Sequence, residues 1–167
     1  MVRICYYLSP IGWLQIIANN NMLIKLTFIE SAIKNIENKI ENKDCFQKLC
    51  TKWLDNYFNG LLYSKPPNSM QIGTLFQNKV WKYLLKCKPG YTITYGKLAK
   101  NIGYAMAPRA VGNALGKNKL NIIIPCHRVI GANNNLGGYA AKKWRKKFLL
   151  KHESKFIYNK QDVNLLL

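Results

Sequence analysis

Along the first third of the chain, apolar and polar residues alternate at every second position, the spacing of a β-strand. Val2, Ile4, Tyr6 and Leu8 fall on one face, and Met22, Ile24, Leu26 and Phe28 repeat the pattern. Gly12 to Ala18 supplies a further apolar segment between them, and Asn19-Asn20-Asn21 supplies a turn, because asparagine tolerates left-handed backbone. The pattern predicts a small antiparallel meander. The period then lengthens toward 3.6. Ile33, Ile36 and Ile40 mark one amphipathic helix, and Phe46, Leu49, Cys50, Trp53, Leu54, Tyr57 and Phe58 mark a second with a wide apolar stripe that closes near Gly60.

Ser64-Lys65-Pro66-Pro67-Asn68-Ser69 cannot continue a helix and has a linker's composition, so the predicted domains are 1–70 and 71–167. Thr74 and Gln77 then have capping-box spacing, opening a helix through Cys87 whose inner face is Phe76, Val80 and Leu84, stopped by Gly90. Tyr91 to Thr94 reads as extended, and Tyr95 to Ala99 as a short helix. Pro108 to Gly116 fits a helix with proline in its first turn and glycine past its end. Two short helices joined by a turn make a helix-turn-helix pattern. In the second of them Ala110, Gly112 and Ala114 either admit a partner's backbone or permit tight helix packing. Trp144, Phe148 and His152, four residues apart, mark the expected apolar face of a final helix.

Charge changes this picture. Lys and Arg total 26 against 7 Asp and Glu in 167 residues, a net charge of +19. Part of the excess follows the abundance of Lys, Asn and Ile, but its distribution is uneven. No carboxylate side chain occurs between Asp55 and Glu153. A polyanion, nucleic acid ahead of an anionic membrane, is the expected partner. The 49% hydrophobic content suffices for a real core. Five cysteines without close, even spacing, and no secretory signal pattern, lead to the expectation of a reduced, cytoplasmic protein with access to the chromosome. Cys45 and Cys50 read as packing residues, and two histidines without close cysteine pairs predict no metal site and no cofactor. Ile11 to Ala18 is too short to span a bilayer.

The candidate chemistry lies in Pro125-Cys126-His127-Arg128-Val129-Ile130, directly after Ile122-Ile123-Ile124. A free thiol with a pKa near 8.5 is only roughly 3% thiolate at neutral pH, and the thiolate is the nucleophile. An imidazole and a guanidinium beside Cys126 address that shortfall, whereas a cysteine after three isoleucines is otherwise core filler. Glu153 near the end of the last helix opposes the helix dipole, which assigns it either another task or a plain surface position.

Thr74 to Gln77, Tyr95-Gly96-x-Leu98-Ala99, Pro108-Arg109-Ala110-Val111-Gly112, Asn118, Ile124 to Val129, Gly137-Gly138-Tyr139 and His152-Glu153 together resemble the O6-alkylguanine-DNA alkyltransferases, over residues 71 to 154. The first 70 residues resemble that family in layout. The resemblance implies an α/β ribonuclease-H-like N-terminal domain with a small antiparallel sheet, and a mostly α winged-helix-like C-terminal domain. It implies irreversible transfer of an alkyl group, mainly methyl, from guanine O6 (and thymine O4) in double-stranded DNA to Cys126, by a monomer that binds the minor groove and flips the nucleotide. On the same basis His127 is the base, Glu153 its orienter, Asn118 a brace and Tyr95 the donor to the leaving guanine. Arg109 is the intercalating residue, and Ala110, Gly112, Leu115, Arg128, Val129, Tyr139 and Ala140 contact DNA or the extruded base. Lys97, Lys117, Lys119, Lys142 and Lys143 are expected at phosphates.

Lys119 and Asn121 replace two common family prolines, and Ala140-Ala141-Lys142 replaces a small, glycine-rich stretch. The added Cβ atoms predict faster repair of methyl than of benzyl adducts. Two other classes stay in view, a non-catalytic lesion-binding helix-turn-helix protein and a Cys-His hydrolase. The first leaves Cys126, His127 and Glu153 without a role, and the second leaves +19 and Arg109 without one.

Overall fold

Asn20 and Asn21 both take left-handed backbone, with φ of 47° and 58°, the conformation a two-residue hairpin turn requires. They join β2 (Gly12–Asn19) to β3 (Met22–Phe28), and β1 (Val2–Ser9) pairs with β2 on its other side, giving an antiparallel sheet of order β1-β2-β3. The computed structural model describes residues 2–30, 45–61 and 65–158. The helix expected around Ile33, Ile36 and Ile40 lies outside them.

Cross-strand partners share a face, so the register decides which residues are buried. Leu14, Ile16 and Ala18 of β2 point inward and carry Tyr7, Cys5 and Arg3, their partners on β1, to the same side. On the other face of β1, Val2, Ile4 and Leu8 are 57%, 47% and 60% exposed, and Tyr6 alone of the four is buried. In β3 a register shift opposite Ile17 and Ala18 breaks the alternation, so that Leu23 and Leu26, three apart, are both buried. The outer edge of β3 is satisfied by short pairings: Leu26 N–H donates to the Lys119 carbonyl at 2.7 Å, and Asn121 N–H to the Leu26 carbonyl at 2.8 Å.

The described helix of this region, α1 (Cys45–Phe58), buries Phe46, Cys50, Leu54 and Tyr57. Tyr7 stacks on Phe58 at 6.3 Å between centroids and donates to Asp55 Oδ1 at 2.8 Å. Cys45, expected as a packing residue, is exposed, because it stands at the helix's first position, off the stripe. By contacts, residues 1–71 with Lys119–Asn121 form one unit, and Ile72–Asn118 with Ile122 onward form the other.

In the second unit Thr74 Oγ1 accepts from Gln77 N–H at 3.2 Å while Gln77 Oε1 accepts from Thr74 N–H at 3.0 Å, the reciprocal cap expected for α2 (Leu75–Leu84). The helix stops three residues short of Cys87. Thr94 caps α3 (Tyr95–Asn101) by accepting from Lys97 N–H at 3.2 Å, and Pro108 opens α4 (Pro108–Gly116). Gly116 is the last residue of α4 rather than the one beyond it. β4 (Ile93–Thr94) pairs in parallel with β5 (Val129–Ile130), tying the start of α3 to the segment after Cys126. Val80, Leu84, Leu98, Val111 and Leu149 are fully buried, each stabilising the unit by roughly 1.5–3 kcal/mol. Trp81 Nε1 donates to the Ala114 carbonyl at 3.0 Å, holding α2 on α4.

The last helix, α5 (Lys143–Tyr158), overturns its expected orientation. Trp144 and Phe148 are 54% and 37% exposed, while Arg145, Lys146, Leu149 and Glu153 are buried. Three of those four carry charge, so hydropathy pointed to the wrong side. The protein thus consists of an N-terminal part with a small sheet and a C-terminal helical part. No described helix is long and apolar enough to cross a membrane, and no group of three or more His, Cys, Asp or Glu among the described residues is placed to hold a metal ion.

Candidate active site

Ile122-Ile123-Ile124 is buried, and Ile122 has φ of 71°, a strained value for a β-branched residue. Pro125 ends this run, and Cys126–Arg128 forms a single 3-10 turn ahead of β5. That turn sets Cys126 at the base of a cleft of about 540 Å³, whose walls include Tyr95, Arg109, Gly112, Leu115, Tyr139 and Ala140. Asn118 Nδ2 donates to the Ile124 carbonyl and to Cys126 Sγ, both at 2.9 Å, so one amide fixes the turn and the sulfur together. Burial pushes the Cys126 thiol above its ordinary value, and the Asn118 bond and the Lys146 ammonium offset this only in part. At rest the sulfur keeps its proton and needs a base to remove it.

His127 is wholly buried, with Nε2 at 2.8 Å from Glu153 Oε1. Burial raises the Glu153 carboxyl, but His127 and Arg128 outweigh it and hold the group well below the carboxylate range. An ionised carboxylate can only accept, so the imidazole proton sits on Nε2 and Nδ1 carries a lone pair. Nδ1 is buried without a protein hydrogen-bond partner. Burial also holds His127 below its ordinary value despite the pull of Glu153, so the ring is a neutral base.

Arg128 completes the cluster. Its Nε donates to Glu153 Oε2 at 2.8 Å and its Nη2 to Oε1 at 2.7 Å, a bidentate grip, while Nη1 donates to the Cys87 carbonyl. Gly90 N–H adds a bond to Oε2 at 3.3 Å. The expectation that Arg128 contacts DNA is therefore corrected: it is 6% exposed and committed to Glu153. At Val129 the expectation concerned the backbone: the side chain is fully buried, and the carbonyl accepts from Lys146 Nζ at 2.6 Å. Ala110 is exposed on α4 but does not line the cleft.

Lys146 is the residue that sequence reasoning missed. It is buried, its Nζ also donates to the Gly138 carbonyl at 3.0 Å, and burial lowers its pKa to about 8, with Cys126 pulling the other way. It joins β5 to the Gly137-Gly138 wall of the cleft and puts a cation near the sulfur. Among Lys142, Lys143, Arg145 and Lys147 nothing in the sequence singles it out.

Tyr95, at the first position of α3, also lines the cleft, its phenol pushed up by burial and then by Cys126, so it stays a donor. Gly137 takes left-handed backbone, at φ of 64°, and a Cβ there would crowd the Tyr95 hydroxyl at 3.2 Å. Tyr139 has a buried hydroxyl without a protein partner, also pushed up by burial. Arg109 is exposed at the rim, in the first turn of α4. A Cβ at Gly112 would meet only Tyr95 Cε1, at 3.7 Å. Internal packing therefore does not require that glycine, whereas Ala114 of the same helix is buried against its neighbours.

Two family models match the chain: the DNA binding domain of 6-O-methylguanine DNA methyltransferase over residues 75–155 and its ribonuclease-like domain over residues 2–63. The methylated-DNA–protein-cysteine methyltransferase of Methanosarcina acetivorans is 43% identical over 148 residues, 87% of this chain and 94% of that protein. The chain belongs to the 6-O-methylguanine DNA methyltransferase family. Among solved structures, the Mycobacterium tuberculosis O6-methylguanine methyltransferase superposes with a TM-score of 0.80 at 37% identity, covering 93% of this chain and 94% of that one. The M. tuberculosis OGT in complex with DNA gives 0.81 at 36% identity over 92% and 94%. Of the residues the family resemblance selected, Asn118 bonds Cys126 and His127 bonds Glu153, two pairs joined where Cys126 and His127 adjoin in the chain, and Tyr95, Arg109, Gly112, Leu115, Tyr139 and Ala140 line the cleft with the sulfur.

Proposed function

We propose that Cys126 is the alkyl acceptor of a methylated-DNA–protein-cysteine methyltransferase, which repairs DNA by taking the group from guanine O6 onto its own sulfur. The observation that carries this reading is the buried Asn118–Cys126 and His127–Glu153 pairing at the base of a cleft rimmed by Arg109. His127 Nδ1 takes the thiol proton, through a bridging water. The thiolate then attacks the alkyl carbon in line: the S–C bond forms, the C–O6 bond breaks, and its electron pair goes to the guanine. Tyr95 hydrogen-bonds or protonates that departing anion and is reprotonated from solvent. Glu153 stabilises the imidazolium as it forms, the orienting role of a triad carboxylate, with Arg128 holding it in place. A thioether offers no leaving group at neutral pH, so each molecule acts once, without a cofactor.

O6 is out of reach inside a duplex, so the nucleotide must be turned out of the stack at a cost of a few kcal/mol. In this reading α4 enters the minor groove, where Gly112 admits the backbone, and Arg109 fills the vacated stack. Tyr139 and Ala140 border the extruded base. The ribonuclease-H-like region 1–70 and the winged-helix-like region 71–167, acting as a cytoplasmic monomer, complete the proposal. Ala140 lines the cleft, and it underlies the preference for methyl over benzyl lesions. Equal single-turnover rates on matched duplexes would remove that preference.

Mass spectrometry tests the central step. Incubation with an O6-methylguanine duplex adds one methyl mass to the peptide bearing Cys126 and stops at one equivalent. Turnover would favour a Cys-His hydrolase, and an unmodified protein would favour a lesion-binding regulator.

A further inference from the structure

Beyond the cleft, the second unit carries a basic groove that the mechanism does not use. Lys79, Lys82 and Lys86 follow one another at helical spacing along the solvent side of α2 and the turn after it. With Tyr83 and Ile102 they line a depression of about 190 Å³. Lys79 also reaches across to Tyr104, in the connection between α3 and α4, its Nζ lying 5.0 Å from the ring centroid and 3.4 Å from the hydroxyl. Asn101 Nδ2 donates to the Tyr83 hydroxyl at 2.6 Å and fixes the floor. Among the described residues, no carboxylate lines this groove. The one Asp or Glu among the described residues of this unit is Glu153, which is buried and bound to His127 and Arg128.

The groove and the cleft are the two ends of α3. Tyr95, its first residue, walls the cleft, and Ile102, just past its last, walls the groove. Seven residues at 1.5 Å rise separate them by about 10 Å, which is about three base pairs of duplex at 3.4 Å each. A duplex that runs along α3 with its lesion in the cleft would bring phosphates some three nucleotides away over the lysines.

We propose that Lys79, Lys82 and Lys86 form a second phosphate track, which binds the DNA backbone about three base pairs to one side of the flipped nucleotide. The occupant is a polyanionic strand, since the groove offers three cations and a phenol, and no carboxylate lines it. This inference rests on the reading that the chain binds DNA.

The test measures binding of an O6-methylguanine duplex at several salt concentrations, on a Cys126→Ser background so that no transfer intervenes. Each lost phosphate contact lowers the slope of log K against log salt by about 0.9, so Lys79→Gln/Lys82→Gln/Lys86→Gln should lower it by about 2 to 3. Between 50 and 200 mM salt the parent should then lose roughly 40-fold more affinity than the variant. The difference should vanish on a duplex cut to two base pairs on one side of the lesion and persist when the other side is cut. An unchanged slope, or an equal drop in a Lys147→Gln/Lys151→Gln/Lys155→Gln control, would overturn the proposal, the latter by showing a bulk-charge effect. If the parent binds no DNA at all, the functional reading itself fails, an outcome distinct from binding with an unchanged slope.

Discussion

Around the sheet and α1, the interior consists of Leu14, Ile16, Leu23, Leu26, Leu54 and Tyr57, and its buried polar residues, Ser9, Gln47 and Asn121, carry no charge. In the helical unit, Val80, Leu84, Leu98 and Leu149 share the interior with His127, Arg128, Arg145, Lys146 and Glu153. The first is the cheaper way to build a core, because a buried ion pair recovers its desolvation cost only with good geometry and full hydrogen bonding. The second unit meets that condition at Glu153, whose two oxygens take bonds from Arg128, His127 and Gly90. What the comparison teaches is that the helical unit buries its charge next to its one buried thiol: Arg128 and His127 meet on Glu153, and the Lys146 ammonium acts on Cys126.

The sharpest break of this contrast pairs Glu153→Ala with Leu54→Ala. Removing Glu153 strands two buried basic groups and should cost about 3–5 kcal/mol in urea unfolding, with loss of methyl transfer. Leu54→Ala should cost a similar 2–5 kcal/mol yet leave the transfer rate of the folded fraction intact. Equal loss of transfer in both variants would remove the distinction.

Next in size is the response to acid. His127 is held below its ordinary 6.5 and Glu153 below its ordinary 4.5. In both windows the unfolded chain binds more protons than the folded one, so stability falls as pH is lowered, first through about 6.5 and then through about 4.5. Leu54→Ala should shift the whole stability–pH curve down without changing its shape, and Glu153→Gln should flatten the lower window. Single-turnover transfer should fall on the acid side as His127 becomes protonated.

Lys146→Met gives a smaller effect. It leaves the Val129 and Gly138 carbonyls without their donor and should cost about 1–3 kcal/mol. The transfer rate should fall more than DNA affinity does, because the cation near Cys126 goes with it. An affinity loss as large as the rate loss would assign Lys146 to DNA binding instead. The smallest change is a gain. Lys142 is exposed at φ of 77°, a conformation that costs an L side chain about 1 kcal/mol, so Lys142→Gly should raise stability by about that amount in thermal melts.

Much of the local structure was legible. The paired asparagines, the Thr74–Gln77 cap and the proline that opens α4 act through near neighbours, and all three appear as expected. The family motif likewise named Cys126, His127, Asn118 and Glu153, which the fold brings together. Two expectations failed, for Arg128 and for the face of α5, and Lys146 was missed, all for one reason. Arg128 and Lys146 lie in a strongly basic stretch, where charge signals solvent or phosphate, and the Trp144, Phe148, His152 spacing signals a core face. Their actual environment depends on residues far along the chain: Glu153 for Arg128, the Val129 and Gly138 carbonyls for Lys146.

By itself, then, the sequence determined the elements, their caps and the reactive residue types, because each rests on contacts within a few positions. Only the tertiary structure decided which side of α5 is buried, which arginine meets the carboxylate and which nitrogen of His127 is free. A charged group is buried only where partners distant in sequence replace its water, and no local pattern records that arrangement.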